Sequence, residues 1–254
     1  MDDITRAIYQ RISRRSYLDI PLEPTDASTL QDMILKLGGK GDRSIRLVLD
    51  NNEAFKGFRK SYGMFTGVRN YVALTGNKLN KIEIEKLGYY GELMVLYMTS
   101  LGFGTCWVGG TFDRGSCPLD LSNGESIICV IAVGYVAPKL SSRERFIYRM
   151  VHRKTKALEE MYASDIAAPN WFLAGMKSVQ RAPSAVNRQP VKFDLANGVV
   201  TAAVKSIKDE SYALDLGIAK LHFELGVGGG EWIFGNGAEF RREAYLEINY
   251  GGPF

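Results

Sequence analysis

Histidine and cysteine, which supply much of the nucleophilic and metal-binding chemistry of proteins, are scarce in this sequence. The 254 residues include two histidines, His152 and His222, and three cysteines. Cys106, Cys117 and Cys129 form no CxxC pair, so neither a disulfide framework nor a metal site is predicted. Cys106 is predicted to be a small core residue and His222 a packed helix residue. We therefore expect no catalytic side chain, and the chemistry to come from a cofactor.

Long apolar runs and dense charge are also missing. The longest apolar stretch, 127–137, is interrupted by Gly134 and is shorter than the roughly 20 residues that cross a bilayer, so it predicts a buried strand. The first residues lack the basic and apolar parts of a secretory signal, so we expect a cytoplasmic protein. The net charge of +4 is spread along the chain. This suits a small anion better than nucleic acid, and neither nucleic acid nor a membrane is predicted as a partner.

The same order of elements occurs twice along the chain. In the first part, hydrophobic periodicity predicts helices over 3–12, 25–37 and 82–101, with strands at 44–50 and 70–75. The second part predicts a helix over 169–180, a hairpin at Asn197-Gly198, a helix over 211–225 and a strand at 244–249. Each long helix ends in a Gly-rich run followed by Trp107 or Trp232. The repetition predicts an internal duplication, with a first copy over 1–140 and a second, shortened copy over 141–254.

The first chemical motif is Arg11-Ile-Ser13-Arg-Arg15-Ser-Tyr17, at the end of a predicted helix. In an extended backbone, alternate residues point to one side, so Arg11, Ser13 and Arg15 would share a face. Two guanidinium groups and a hydroxyl can hold a phosphate or place a cation beside an electron-rich ring. An Arg-rich helix end can also serve only to pair with the helix dipole.

Two further motifs are loops that could approach a planar ligand. Residues 182–190, Ala-Pro-Ser-Ala-Val-Asn-Arg-Gln-Pro, combine small residues with the Asn187 and Gln189 amides, although a Pro-bounded turn with left-handed Asn187 is the structural alternative. In the Gly-rich turn 102–110, the end formed by Val108, Gly109 and Gly110 could present backbone N–H groups to the edge of a ring.

Together these motifs resemble those of the nitroreductase family of flavoenzymes, in its branch with two fused copies. The family begins with Arg-x-Ser-x-Arg/Lys-x-aromatic, matched by residues 11–17. It carries Ala-Pro-Ser-x-x-Asn-x-Gln-Pro, matched by residues 182–190. Its late helix ends in Leu-Gly-Leu-Gly-x-x-Trp and a Gly turn, matched around residues 101–110. The resemblance covers the element order of nearly the whole chain, and its specific motifs cover about a tenth.

The resemblance implies an α+β fold with antiparallel-rich sheets flanked by helices, the two copies forming a pseudo-dimer. It also implies an FMN-dependent oxidoreductase that passes hydride from NAD(P)H to FMN and then to a small oxidised acceptor. Both halves of the site would lie in one chain, so dimerisation would not be required. The cofactor-binding residues implied are Arg11, Ser13, Arg15, Val108, Gly109, Gly110, Arg143, Pro183, Ser184, Ala185, Asn187 and Gln189.

Two alternatives share these motifs: an FMN-binding protein without turnover, and a pseudoenzyme without cofactor. Neither copy keeps both site motifs. The first copy has Gly-Gly-Lys-Gly-Asp-Arg-Ser over 38–44 in place of the Pro-Ser loop, and the second has Arg153-Lys-Thr155 in place of Arg-Ser-Arg. One FMN per chain is therefore expected.

Overall fold

The computed structural model describes residues 3–38, 44–56, 63–151, 154–206 and 209–242. Within these ranges, helices and two separate sheets alternate along the chain, which confirms the α+β class with antiparallel-rich sheets. The strand predicted at 244–249 lies outside the described residues. In the described part of the chain, no helix combines the length and the apolar character that a membrane span needs.

The first sheet is antiparallel throughout and has the strand order β1-β2-β4-β3. Its inner strands, β2 and β4, are almost wholly buried, as the apolar run at 127–137 predicts. Their Val, Ile and Leu side chains pack against helices on one face of the sheet and against a second apolar cluster on the other. The strands are β1 Ile45–Val48, β2 Asn70–Gly76, β3 Gly104–Val108 and β4 Ser126–Gly134.

The second sheet has five strands in the order β5-β6-β7-β9-β8, and only the β5–β6 pair is parallel. Asn197 and Gly198 join β6 to β7 with φ angles of 52° and 77°. Positive φ at both central residues is what a type I′ turn requires, so the predicted hairpin is confirmed. The strands are β5 Tyr162–Ser164, β6 Lys192–Ala196, β7 Val199–Ala203, β8 Glu231–Trp232 and β9 Glu239–Arg241.

The predicted helices are present, and their caps explain their ends. Asn80 accepts a hydrogen bond from the Glu83 N–H at the start of α3, and Asp209 accepts one from the Ser211 N–H at the start of α6. The helix α6 continues beyond Gly226, and the left-handed Gly228 ends it. The helices are α1 Asp3–Gln10, α2 Pro24–Gly38, α3 Lys81–Ser100, α4 Ser142–Val151, α5 Asn170–Val179 and α6 Glu210–Val227.

The long helices α3 and α6 pack directly against each other through two glycines. A Cβ atom on Gly88 would lie 2.2 Å from the Leu214 carbonyl oxygen, and one on Gly217 would lie 1.9 Å from the Glu85 carbonyl oxygen. Both positions therefore need glycine because the backbones approach too closely for any side chain. This crossing joins the helix of the first sheet to the helix of the second.

A buried ion pair reinforces the same crossing. Lys220 of α6 lies 2.5 Å from Glu85 of α3, and the two side chains are 0% and 2% exposed. The ammonium also donates to the carbonyl oxygens of Ile233 and Gly235, and the other carboxylate oxygen accepts the Gly235 N–H. Because the lysine is fully paired, this cluster fastens the 233–235 turn to the two helices.

Candidate functional site

The first motif leaves α1 at Gln10 and runs beside β3. Ser13 forms a parallel bridge with Thr105, and the Arg14 N–H donates to the Thr105 carbonyl at 2.8 Å. The extended backbone alternates its side chains: Arg14 is buried and turns to Glu144, whereas Ser13 hydrogen-bonds the Cys106 thiol on β3. Adjacency to β3 brings the Arg-Ser-Arg motif close to the strand that ends at Val108.

Cys106 is only 2% exposed, as expected for a core residue. Burial raises the pKa of its thiol, although the charges of Arg15 and Arg11 and a hydrogen bond with Ser13 act to lower it. A thiol held neutral is a poor nucleophile, so Cys106 serves as a small packed residue beneath the motif.

Two guanidinium N–H groups in this motif lack partners. Among the described residues, the buried Nε atoms of Arg11 and Arg15 have no hydrogen-bond partner. Arg11 Nε is 3.7 Å from the Glu92 carboxylate, beyond hydrogen-bond distance, and Arg15 Nη1 makes a long contact of 3.5 Å to the Ser13 carbonyl. A buried donor left unsatisfied costs about 1–3 kcal/mol. The pair of unsatisfied donors therefore fits an acceptor supplied by an anionic ligand.

Glu144 holds this motif in place and was not found by sequence reasoning. Its Oε1 accepts hydrogen bonds from Arg14 Nε at 3.0 Å and from the backbone N–H groups of Arg15 and Ser16 at 2.9 and 3.2 Å. The carboxylate lies in α4, between Arg143 and Arg145. The sequence offers one sign that α4 has a buried face. Glu144 stands among arginines and is followed three residues later by Ile147, and both residues are buried.

The neighbouring Arg143 is exposed on α4. The helix therefore directs Glu144 inward, while the arginine implied as a phosphate ligand lies on its outer surface. Arg145 is also exposed, and it donates to Ser142 Oγ at 3.1 Å. A phosphate role for Arg143 stays a prediction.

The Gly-rich turn continues from the edge strand β3. Val108 is buried at the end of β3, whereas Gly109 and Gly110 are exposed. A Cβ atom at either glycine would meet nothing within 4 Å. Arg114 Nη2 donates to the Gly109 carbonyl at 2.6 Å and so fixes the direction of the turn. Open space beside this backbone is compatible with the edge of a ring, and the contact itself stays a prediction.

The second motif is a strained loop between α5 and β6. Val186, Asn187 and Gln189 have φ angles of 46°, 52° and 46°, in the left-handed region that L-residues avoid. Such residues cost on the order of 1–3 kcal/mol each and persist only when the surrounding structure fixes them. The left-handed Asn187 that the sequence allowed is confirmed. Strain in a loop of this kind is typical of ligand sites.

Hydrogen bonds fix the loop at both ends. The Gln189 N–H donates to Ser184 Oγ at 2.8 Å, and the Ala185 N–H donates to both oxygens of Asp215 at 3.1 and 3.3 Å. Burial raises the pKa of Asp215 to about 7, against the lowering effect of the Ala185 N–H and of Arg188. Asp215 belongs to α6, so the helix that packs on α3 also shapes this loop.

Gln189 is 4% exposed, and its amide bonds within the protein. Its Oε1 accepts from the Lys156 N–H at 2.8 Å, and its Nε2 donates to the Gln180 carbonyl at 3.1 Å. The residue therefore stabilises the shape of the loop. Pro183 and Ser184 line a small cavity beneath the loop together with Asp215.

Two links connect the 182–190 loop to the first motif. The Arg181 guanidinium, just before the loop, lies 6.0 Å from the ring centre of Tyr9, close to the end of α1. A buried chain of polar groups also runs from Arg11 through Glu92 and His222 to the Ser178 carbonyl in the last turn of α5. These links connect the start of the first motif with residues that directly precede the second. Convergence of Arg15 and Asn187 on one cleft stays a prediction. Residues 39–43 and Arg153, which stand where the family motifs are missing, lie outside the described residues.

Comparison with known proteins identifies the family. The profile of the family described as "Putative TM nitroreductase" matches residues 3–227. The chain belongs to this nitroreductase family. No curated protein sequence matches the chain.

One solved structure supports the fold assignment. A Thermotoga maritima structure, described as that of "a putative nitroreductase", has a TM-score of 0.65 at 20% identity, covering 94% of this chain and 92% of that one. A Bacteroides fragilis nitroreductase with bound FMN has 18% identity and a TM-score of 0.41, covering 56% of this chain and 93% of that one. The first similarity extends over nearly both chains and establishes the same overall fold.

Proposed function

We propose that this nitroreductase-family protein is an FMN-dependent NAD(P)H oxidoreductase with one composite site per chain. The observation that carries the proposal is that the buried Nε–H groups of Arg11 and Arg15 have no hydrogen-bond partner among the described residues, with Arg11 Nε 3.7 Å from Glu92. They flank Ser13 on an extended segment that Glu144 holds rigid. An anionic ligand supplies the acceptors that these donors lack.

Different residues of the first motif would bind different parts of FMN. Arg11 and Ser13 would hold the phosphate, together with Arg143, the neighbour of Glu144 in the sequence. Arg15 would lie beside the flavin ring. When bound, FMN would supply the hydride chemistry that links NAD(P)H to a small oxidised acceptor. The fixed charge of Arg15 would stabilise the negative charge that hydride transfer places on the ring. No protein side chain needs to act as a nucleophile.

The second half would complete the site from the 183–189 loop. Pro183, Ser184 and Ala185 let the backbone approach a ring closely, while the Asn187 amide can pair with its polar edge. The strain stored at Val186 and Asn187 supports this assignment, since such strain is typical of a functional loop. Both contributions come from one chain, so a second copy is not required.

The α3–α6 crossing supports the duplication on which this composite site depends. Gly88 meets the backbone of residue 214, and Gly217 meets the backbone of residue 85. Each helix thus presents a glycine three residues after the position that its partner contacts. Exchanging the two helices would preserve both contacts, as expected for copies related by a pseudo-twofold axis.

FMN titration and anaerobic reduction test the proposal. The purified protein should bind FMN, and NADH or NADPH should then bleach the flavin absorbance. Arg11→Ala should weaken FMN binding on the order of tenfold to a hundredfold, the scale of a charged hydrogen bond. Arg6→Ala is the matched control, because Arg6 is an exposed arginine on α1 that pairs only with Asp3 in the described structure.

The outcomes separate the proposed enzyme from its alternatives. Bound flavin that NADH and NADPH both fail to bleach would indicate an FMN carrier without turnover. Failure of the wild-type protein to bind FMN at all would indicate a pseudoenzyme and would overturn the proposal.

A further inference from the structure

A buried carboxyl–imidazole pair lies behind the first motif. Glu92 of α3 and His222 of α6 are both 0% exposed, and His222 Nε2 is 3.0 Å from Glu92 Oε1. The other carboxyl oxygen, Oε2, accepts the Trp107 Nε1–H at 2.7 Å. The pair thus connects the two long helices with β3, at the centre of the molecule.

Hydrogen-bond geometry determines how many protons the pair carries. His222 Nδ1 is 3.0 Å from the Ser178 carbonyl oxygen, which can only accept, so Nδ1 must carry a hydrogen. The contact between Nε2 and Glu92 then needs one more proton, on either the carboxyl or the ring. The Trp107 N–H and the Arg11 guanidinium 3.7 Å away both favour a carboxylate. The geometry therefore assigns an imidazolium to His222 and a charge of −1 to Glu92.

This cluster touches both halves of the candidate site. Arg11 begins the first motif, and its Nε lies near the same carboxyl oxygen that His222 bonds. Ser178 lies in the last turn of α5, four residues before Ala182, where the second motif begins. Glu92 has two cationic neighbours, Arg11 and His222, so the cluster carries a net positive charge facing the site.

We propose that Glu92 and His222 are positioning residues that orient Arg11 toward the ligand's phosphate and couple it to the 182–190 loop. Neither residue touches the ligand. A single carboxylate shared by two cations leaves the Arg11 guanidinium only partly neutralised, so its remaining donors stay available to a phosphate. The inference rests on the proposed function, because it assumes that the phosphate of FMN binds at Arg11.

Comparing FMN with riboflavin tests this role, since riboflavin has the same ring but no phosphate. Glu92→Gln keeps the shape and an acceptor for Trp107, but it removes the charge that holds Arg11. It should weaken FMN binding about tenfold to a hundredfold while leaving riboflavin binding nearly unchanged. General damage to the fold would weaken both ligands alike, and this outcome would overturn the proposal.

Glu85→Gln is the matched control. It removes a second buried carboxylate from the same helix, one that pairs with Lys220 of α6 and has no contact with Arg11 in the described structure. This variant should lose stability without changing the ratio of FMN to riboflavin affinity. An equal change of the ratio in both variants would contradict the specific role of Glu92.

A second readout is independent of flavin binding. Because the chain has only two histidines, ¹⁵N-histidine labelling gives a simple spectrum that His152→Gln assigns. Both ring nitrogens of His222 should show the protonated signature, and Glu92→Gln should remove it from Nε2. Inorganic phosphate should shift the His222 signals in the wild type but not in Arg11→Ala.

The two readouts distinguish failure of the inference from failure of the proposed function. If the wild type binds neither FMN nor riboflavin, the proposed function fails, and the phosphate titration still decides whether His222 senses an anion at Arg11. An unprotonated Nε2 in the wild type, or His222 signals indifferent to phosphate, would overturn the inference.

Discussion

Replacing Glu144 should lower the free energy of unfolding by an amount that depends on pH. The buried carboxylate accepts hydrogen bonds from the Arg14 side chain and from the backbone N–H groups of Arg15, Ser16 and Ser141. Burial acts to raise the pKa of Glu144, but the bond from Arg14 and the three backbone bonds outweigh it and lower the pKa to about 2. The carboxylate is therefore strongly favoured over the neutral acid in the folded protein.

The magnitude follows from this shift. A pKa lowered from 4.5 to about 2 corresponds to at most about 3.5 kcal/mol, at about 1.4 kcal/mol per unit. Because the pKa is lowered on folding, the stabilisation is fully present above pH 4.5 and is lost as the pH falls toward 2. Glu144→Gln keeps an acceptor but no charge. At pH 7 it should lower the free energy of unfolding by about 1–3 kcal/mol.

Urea unfolding of the wild type and Glu144→Gln at pH 7, 5 and 3 measures this effect. The difference between the two proteins should be large at pH 7 and 5 and should shrink at pH 3. Glu159→Gln is the control, because Glu159 is exposed and its replacement should change stability by less than about 0.5 kcal/mol. A difference that stays constant with pH, or no difference at pH 7, would refute the reasoning.

Three other perturbations test the ring contact, the number of sites and the helix crossing. Arg15→Ala should destabilise the reduced flavin by about 1–3 kcal/mol more than the oxidised flavin, and a potentiometric titration showing an unchanged reduction potential would contradict this. Calorimetric titration of the apo-protein with FMN should saturate at one per chain, whereas two equivalent sites would show that the second copy is intact. Gly217→Ala should cost at least about 1–3 kcal/mol in thermal unfolding, because its Cβ would lie 1.9 Å from the Glu85 carbonyl oxygen. Gly115→Ala, whose Cβ would lie no closer than 3.5 Å to an atom there, should cost far less; equal losses would exclude the crossing as the cause.

Local patterns determined the elements and the candidate motifs. Apolar periodicity placed the two long helices to within about two residues of α3 Lys81–Ser100 and α6 Glu210–Val227. Asn197-Gly198 predicted its hairpin because a type I′ turn needs positive φ at adjacent residues. The alternation of Arg11, Ser13 and Arg15 followed from extended backbone geometry. Each of these inferences depends only on residues that are close together in the sequence. It can therefore be made without knowing the tertiary structure.

Only the tertiary structure showed what supports those motifs. Glu144 meets Arg14 across 130 positions of sequence, and His222 meets Glu92 across the same separation. No local pattern encodes such a pairing, because it depends on how α4 packs beside residues 14–16 and how α3 crosses α6. The sequence thus predicted which residues could bind an anionic ligand, whereas long-range packing decided which buried carboxylates hold them and which N–H donors lack a partner among the described residues.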